Sequence, residues 1–267
     1  MLIQEKIIQN VKNKCIEDES VSACMMYGSF TKGEGDQYSD VEFYIFIRDQ
    51  DINHFNSRYW ISEVNTADLI FYNEYGTEVV IFSNMIRGEF HFLPESKMEI
   101  IKSFKSTGVF PNPESMYVYD STEQLQPLLE GLGGSGPERM TDKNVNFAFN
   151  NFANAWLMGV NVMKRGELAR SLEVLTQVQK YILQLIRVKE KTVERWLNST
   201  KNLETDISVQ SYHNYVSITA KLRECELKTA YKNALKMVEK LYNSLGDFYV
   251  VDIDQDFIQK LYVHLNK

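Results

Sequence analysis

In the first half of the chain, short apolar runs alternate with segments whose apolar residues recur every three or four positions. Ile3, Ile7 and Val11 follow helical spacing, which predicts an amphipathic helix over 2–17. A second helix is predicted over 55–64. Strands are predicted for the apolar or alternating runs at 21–27, 41–47, 68–74, 77–83 and 88–93. Strands and helices therefore interleave in this half, which predicts a mixed sheet with helices.

The second half has helical periodicity nearly to its end. Apolar residues recur at three- or four-residue spacing through 142–164 and 167–188. Further helices are predicted over 209–224, 226–244 and 255–265. The aromatic stripe of Phe149, Phe152 and Trp156 is interpreted as the core of a helical bundle.

The two patterns meet at a segment rich in glycine, GLGGSGP at 131–137. Its four glycines, serine and proline do not favour continuation of a helix or a strand. We therefore predict a first domain over 1–130 and a helical second domain over 138–267, with a role in substrate binding or assembly. The fold class expected is α+β.

Composition narrows the classes of function. The 267 residues are 44% hydrophobic and 24% charged, which is typical of a globular protein. The net charge of -7 argues against a nucleic-acid partner, which needs a basic face. The three cysteines form no C-x-x-C pair, which indicates a reducing compartment and hence the cytoplasm. No apolar run is long enough to cross a bilayer, so no membrane partner is expected.

The most informative motif lies between the predicted strands at 21–27 and 41–47. The first strand ends in Gly28-Ser29, and a polar loop leads to Asp40 and Glu42 at positions i and i+2. Alternation along a strand turns both carboxylates to one side, where they repel each other unless a cation lies between them. Mg²⁺ uses such carboxylates together with substrate phosphates. A Gly-Ser turn can hold phosphate oxygens. The motif therefore predicts metal-assisted chemistry on a nucleoside triphosphate.

A third carboxylate is expected if two metal ions are held. In GEFHFL at 88–93, alternation places the two phenylalanines on one face and Glu89 with His91 on the other. Glu89 is the favoured third acid, and Glu78 and Asp68 are the alternatives. His91 is interpreted first as a surface or hydrogen-bonded histidine, with contact to a phosphate or to the acceptor hydroxyl as the alternative.

Two cations are candidates for contact with the triphosphate. Lys32 lies in the loop after the Gly-Ser turn, and Arg170 lies in KRGELARS near a predicted helix start. For the loop lysine, a solvated side chain is the usual outcome. Lys32 and Arg170 are therefore carried forward as candidate nucleotide contacts only.

These residues resemble a known superfamily. A Gly-Ser turn followed by Asp-x-Asp or Asp-x-Glu is similar to the motif of the polymerase-β-like nucleotidyltransferases. Over essentially its whole length the chain resembles the lincosamide nucleotidyltransferases of the LinB type, through a helical second half and the strings MMYGSFTKGEGDQYSDVEFYIF, NEYGTEVVIF and RGEFHFLPES. This resemblance implies a Mg²⁺-dependent enzyme with a nucleotidyltransferase fold in its first domain. Such an enzyme moves AMP from ATP to a hydroxyl of a lincosamide antibiotic and releases pyrophosphate.

The resemblance also implies roles for individual residues. Asp40, Glu42 and Glu89 match the catalytic metal ligands, and Gly28-Ser29 matches the phosphate-contacting turn. Two alternatives stay open: an aminoglycoside as the acceptor, and a non-catalytic partner of the same fold that neutralises a toxin. The sequence does not decide which hydroxyl is modified, which nucleotide is preferred, or whether the protein is a homodimer.

Overall fold

The computed structural model describes all residues, 1–267, and divides them into two compact units, Met1–Pro137 and Glu138–Lys267. The first unit is a six-stranded mixed sheet with helices, and the second is helical. This α+β architecture confirms the fold class expected from the sequence. None of the helices combines the length and the apolar character that crossing a membrane requires.

The first unit contains three α-helices and six strands. The helices are α1 (Ile3–Glu17), α2 (Ser57–Val64) and α3 (Leu125–Glu130). The strands are β1 (Val21–Tyr27), β2 (Val41–Ile47), β3 (Ala67–Tyr72), β4 (Glu78–Phe82), β5 (Arg87–Pro94) and β6 (Tyr117–Asp120). Stretches of 3₁₀ helix cover Phe30–Lys32, Ile52–His54, Glu95–Ser106 and Pro113–Met116.

The strand order β3-β4-β5-β2-β1-β6 places β2 and β5 at the centre of the sheet. These two strands are parallel, and all the other neighbouring pairs are antiparallel. Their register sets Glu42 beside Glu89 and Phe43 beside Phe90. Because successive side chains alternate between faces, the two glutamates share one face of the sheet and the two phenylalanines share the other.

The phenylalanine face forms the main core of the first unit. Phe43 and Phe90 stack with ring centroids 5.3 Å apart and lie in one buried cluster with residues of α1 and α2. On the opposite face, a smaller core packs Met25 and Phe46 against the 3₁₀ helix Glu95–Ser106 and α3. The glutamates lie on this second face, near the end of β1.

The second unit is built from six α-helices: α4 (Asp142–Lys164), α5 (Leu168–Glu190), α6 (Leu203–Asp206), α7 (Val209–Val216), α8 (Glu224–Leu245) and α9 (Gln255–Asn266). Phe149, Phe152 and Trp156 are fully buried in its core, which confirms the interpretation of the aromatic stripe. The indole of Trp156 donates a hydrogen bond of 2.9 Å to the carbonyl of Tyr231. This bond satisfies the only polar atom that the indole brings into the core.

One predicted helix was too long, and one short strand was not predicted. The helix predicted over 209–224 ends at Val216, where the hydroxyls of Ser217 and Thr219 donate to the carbonyls of Asn214 and Val216. Such local side-chain bonds compete with helix propagation. The four-residue edge strand β6 was missed because its pattern is too short to stand out, and its hydrogen bonds come from β1.

Candidate active site

The turn after β1 requires a glycine at its first position. Gly28 has a φ of +85°, in the left-handed region that residues with a Cβ avoid. A Cβ built at Gly28 would lie 1.7 Å from Oε2 of Glu42, well inside van der Waals contact. The Glu42 carboxylate therefore lies directly against the backbone of the turn, and the sequence motif corresponds to a physical contact.

Ser29 carries a buried hydroxyl that has no hydrogen-bond partner. The Ser29 carbonyl accepts hydrogen bonds from the amides of Lys32 (3.1 Å) and Glu34 (3.0 Å), and these bonds close the turn. Buried polar atoms are nearly always satisfied, so the Ser29 hydroxyl has hydrogen-bonding capacity that the chain does not use. The turn thus offers a donor beside the Glu42 carboxylate.

Arg87 joins two of the predicted acids. Its Nη1 donates to Oδ2 of Asp40 at 2.7 Å, and its Nη2 donates to Oε1 of Glu89. Burial lowers the pKa of Arg87, but the hydrogen bonds and negative charges of Glu89 and Asp40 outweigh it and raise that pKa. One guanidinium therefore bridges Asp40, just before β2, and Glu89 on the parallel neighbour strand.

The other oxygen of Glu89 contacts an aromatic cluster. The Tyr27 hydroxyl lies 3.3 Å from Oε2 of Glu89 and 3.0 Å from Nε2 of His91, and the His91 ring stacks on Tyr44 at 4.2 Å. A hydroxyl has one proton, so Tyr27 accepts from His91 when it donates to Glu89. Burial lowers the pKa of His91, which favours the neutral ring. Burial and the charges of Glu42 and Glu89 raise the pKa of Tyr27, which keeps it a donor.

The fit of a divalent cation depends on donor chemistry and on spacing. Asp40, Glu42 and Glu89 supply only carboxylate oxygens, the ligands that Mg²⁺ prefers, and the orphaned Ser29 hydroxyl lies on the adjoining turn. No group of three or more His, Cys, Asp or Glu side chains has the spacing of a metal site. Asp40 and Glu89 are instead spaced by the guanidinium of Arg87. The carboxylate oxygens are suitable ligands for Mg²⁺. The distance between the Asp40 and Glu89 carboxylates, however, is set by the Arg87 guanidinium that lies between them.

The alternative acids lie elsewhere. Glu78 pairs with Phe90 in the register of β4 and β5, so it occupies the phenylalanine face, opposite Glu89. Burial raises the pKa of Glu78, against the opposing effects of Ser57 and Arg58. Asp68, on the edge strand β3, accepts a 2.6 Å hydrogen bond from the Ser83 hydroxyl. Neither acid joins the Asp40–Arg87–Glu89 group, so Glu89 remains the favoured third acid.

The two candidate cations differ in where they lie. Lys32 is exposed in the 3₁₀ helix that follows Ser29, on the same turn as the orphaned hydroxyl. Arg170 lies in the first turn of α5, in the second unit, and donates a 3.2 Å hydrogen bond to Glu167. Contact of either residue with a nucleotide stays a prediction.

Sequence reasoning missed Arg87 and Tyr27 as members of this group. The signal for Arg87 was present, since Arg87, Glu89 and His91 alternate in RGEFHF and so share one face of β5. Tyr27 directly precedes Gly28 and pairs with Glu42 across β1 and β2. Its proximity to Glu89 depends on the strand order, which the local pattern does not contain.

Similarity to known proteins is clearest in the second unit. Residues 141–264 match the lincosamide nucleotidyltransferase-like, C-terminal domain family, of the LinB-like type. This match covers slightly less than half of the chain. It supports the nucleotidyltransferases of antibiotic-resistance families as the class, and it does not distinguish a lincosamide from an aminoglycoside as the acceptor. Among curated proteins, no sequence matches the chain significantly.

Solved structures give weaker likenesses. An aminoglycoside 6-adenyltransferase from Bacillus subtilis is 11% identical, with a TM-score of 0.45 and coverage of 99% of this chain and 98% of that one. A nucleotidyltransferase-like protein from Exiguobacterium sibiricum 255-15 is 15% identical, with a TM-score of 0.38 and coverage of 91% and 77%. At these scores neither likeness bears on substrate or mechanism.

Proposed function

We propose that the chain is a Mg²⁺-dependent nucleotidyltransferase that moves AMP from ATP onto a hydroxyl of a lincosamide antibiotic. One observation carries this proposal: three carboxylates and an orphaned hydroxyl gather where β1, β2 and β5 end or begin. Glu42 lies against Gly28, and Asp40 and Glu89 share one cation. The family match of the second unit supports a nucleotidyltransferase, and the choice of a lincosamide as acceptor rests on the sequence resemblance.

The turn would handle the triphosphate. Its backbone approaches closely at Gly28, and the Ser29 hydroxyl is free to donate to a phosphate oxygen. Asp40, Glu42 and Glu89 are the residues that would hold Mg²⁺. When bound, the metal would lower the pKa of the acceptor hydroxyl and offset charge on the leaving pyrophosphate.

Glu89 is our candidate for the proton acceptor. The acceptor oxygen would form a bond to the α-phosphorus while the bond from that phosphorus to the pyrophosphate oxygen breaks. The hydroxyl proton would pass to Glu89 and then to solvent. Tyr27, which His91 contacts, would hold Oε2 of Glu89 in place through the observed 3.3 Å contact. A general base must be held within hydrogen-bond reach of its proton in this way.

The test is pyrophosphate release by the full chain with Mg²⁺ and ATP, first without an acceptor and then with clindamycin. We expect release that depends on clindamycin, with an adenylylated product that mass spectrometry identifies. Asp40→Asn is the matched control, because it removes a charge and keeps the shape of the side chain. Pyrophosphate release with kanamycin but not with clindamycin would identify an aminoglycoside as the acceptor and overturn the lincosamide assignment. Absence of release with either antibiotic and any nucleoside triphosphate would favour the non-catalytic alternative.

A further inference from the structure

Arg87 contacts the atoms that a divalent cation would need. Its two hydrogen bonds go to Oδ2 of Asp40 and Oε1 of Glu89, both of them predicted metal ligands. All three side chains remain partly exposed, at 42% for Arg87, 35% for Asp40 and 20% for Glu89. An ion pair that water reaches is weak and exchanges readily.

The guanidinium and the cation would exclude each other. Two carboxylates held this close repel one another unless a positive charge neutralises them. A guanidinium does so through two directional N–H donors, whereas Mg²⁺ takes the same oxygens into its own coordination shell. The two cations cannot occupy these oxygens together, so binding of the metal requires Arg87 to leave.

We propose that Arg87 is a resident counter-cation, a positioning residue that holds Asp40 and Glu89 together until a divalent cation displaces it. This inference rests on the proposed function in one respect, namely that these carboxylates bind the metal. The new element is that Arg87, a side chain of the protein itself, competes with the metal ion for these carboxylates. Arg87 keeps Asp40 and Glu89 together in the absence of metal. Because it occupies the same oxygens, it also lowers the affinity of the site for metal.

The test is Mn²⁺ binding to the full chain without nucleotide, measured by calorimetry and by the electron paramagnetic resonance signal of free Mn²⁺. Arg87→Gln removes the competitor, and we expect Mn²⁺ to bind about three- to tenfold more tightly than to the wild type. Arg87→Lys keeps the positive charge but cannot donate to both carboxylates through one planar group. Its Mn²⁺ affinity should lie between those of the wild type and Arg87→Gln. Arg58→Gln is the matched control, because Arg58 lies 4.0 Å from Glu78 on the opposite face, and it should leave the affinity unchanged.

The direction of the change separates competition from a merely structural role. A structural arginine would leave a damaged site and weaker binding when removed, whereas a competitor leaves stronger binding. Thermal melting gives a second readout. Without metal, Arg87→Gln should melt below the wild type, and saturating Mg²⁺ should raise its melting temperature by more than it raises that of the wild type. Equal or weaker Mn²⁺ binding by Arg87→Gln would overturn the proposal.

Asp40→Asn distinguishes failure of this inference from failure of the proposed function. If Asp40→Asn abolishes Mn²⁺ binding while Arg87→Gln binds like the wild type, the metal site stands and the role of Arg87 is wrong. If neither the wild type nor Arg87→Gln binds Mn²⁺, with or without ATP, the metal site itself is wrong and the inference fails with it.

Discussion

Two arginines, one in each unit, make a useful comparison. Arg187 of α5 has no exposed surface, and it donates to the carbonyls of Ser199 (2.9 Å) and Lys201 (2.8 Å) and to the carboxylate of Asp206 (3.1 Å). Arg87 of β5 is 42% exposed and is held by two acidic side chains. Both side chains are paired, yet their surroundings differ in kind.

The difference shows what makes a cation structural. Most partners of Arg187 are backbone carbonyls, which cannot move without displacing the segment that carries them, so these partners are fixed. Carboxylates on an exposed face can exchange one cation for another, so the partners of Arg87 are open to competition. A buried charge with fixed backbone partners is therefore costly to remove, whereas a half-exposed charge among acids can be displaced by another cation.

The largest effect on stability is expected from Arg187→Met. Removing the guanidinium leaves the carbonyls of Ser199 and Lys201 without this donor, and each buried acceptor left unsatisfied costs about 1–3 kcal/mol. Asp206 keeps its 3.0 Å hydrogen bond from Arg195. The loss should appear as a lower midpoint in urea unfolding of the full chain. Arg170→Met in the same helix is the control, because Arg170 is exposed, and it should change stability by no more than about 0.5 kcal/mol. Equal losses in the two variants would contradict the comparison.

Glu89→Gln should affect activity and not folding. It removes one negative charge from the acidic site, and we expect turnover to fall about 10²–10³-fold, as for the loss of a single preorganised electrostatic group. Glu78→Gln is the matched control on the neighbouring strand and opposite face, and it should stay close to wild-type turnover. Melting curves establish that both variants fold. An inactive Glu78→Gln beside an active Glu89→Gln would show that the wrong face was chosen.

Gly28→Ala tests the contact between the turn and Glu42. Gly33 provides the control, because it also has a positive φ, of +69°, but a Cβ added there would have no other atom within 4 Å. Both alanine variants should lose about 1–2 kcal/mol from backbone strain. Only Gly28→Ala also displaces the Glu42 carboxylate, so it should lose much more activity than Gly33→Ala. Similar activity in the two variants would mean that the position of Glu42 is not required.

The smallest effect is a pH dependence at Glu78. Burial raises the pKa of Glu78 in the folded protein above its usual 4.5. The folded state therefore holds this proton more tightly than the unfolded state does. The resulting stability is complete below pH 4.5 and is lost as the pH rises through the raised pKa. Glu78→Gln should accordingly gain stability relative to the wild type as the pH rises above 4.5, which denaturant unfolding at each pH would measure. A stability difference between Glu78→Gln and the wild type that does not change with pH would show that the pKa of Glu78 is not raised.

Much of the fold was predictable from local patterns. Strands β1 and β2 and helix α4 have the bounds that their hydrophobic periodicity predicts, because burial of one face acts on neighbouring residues of the same segment. Alternation also placed Glu89 opposite the phenylalanines of β5, as the register confirms. The catalytic and metal-binding roles of these acids remain predictions.

What the sequence determined by itself was the local part: most of the helices and strands, the faces of the strands, and the Gly-Ser and Asp-x-Glu motif. Tertiary structure alone decided that β5 lies parallel to β2 and that β1 lies on the other side of β2. That order brings Tyr27 and Arg87 to Glu89 and sets Glu42 against Gly28. The physical reason is that alternation along a strand fixes the face of the sheet on which each side chain lies. Its partners across the sheet follow from strand pairings between distant segments, which no local period records.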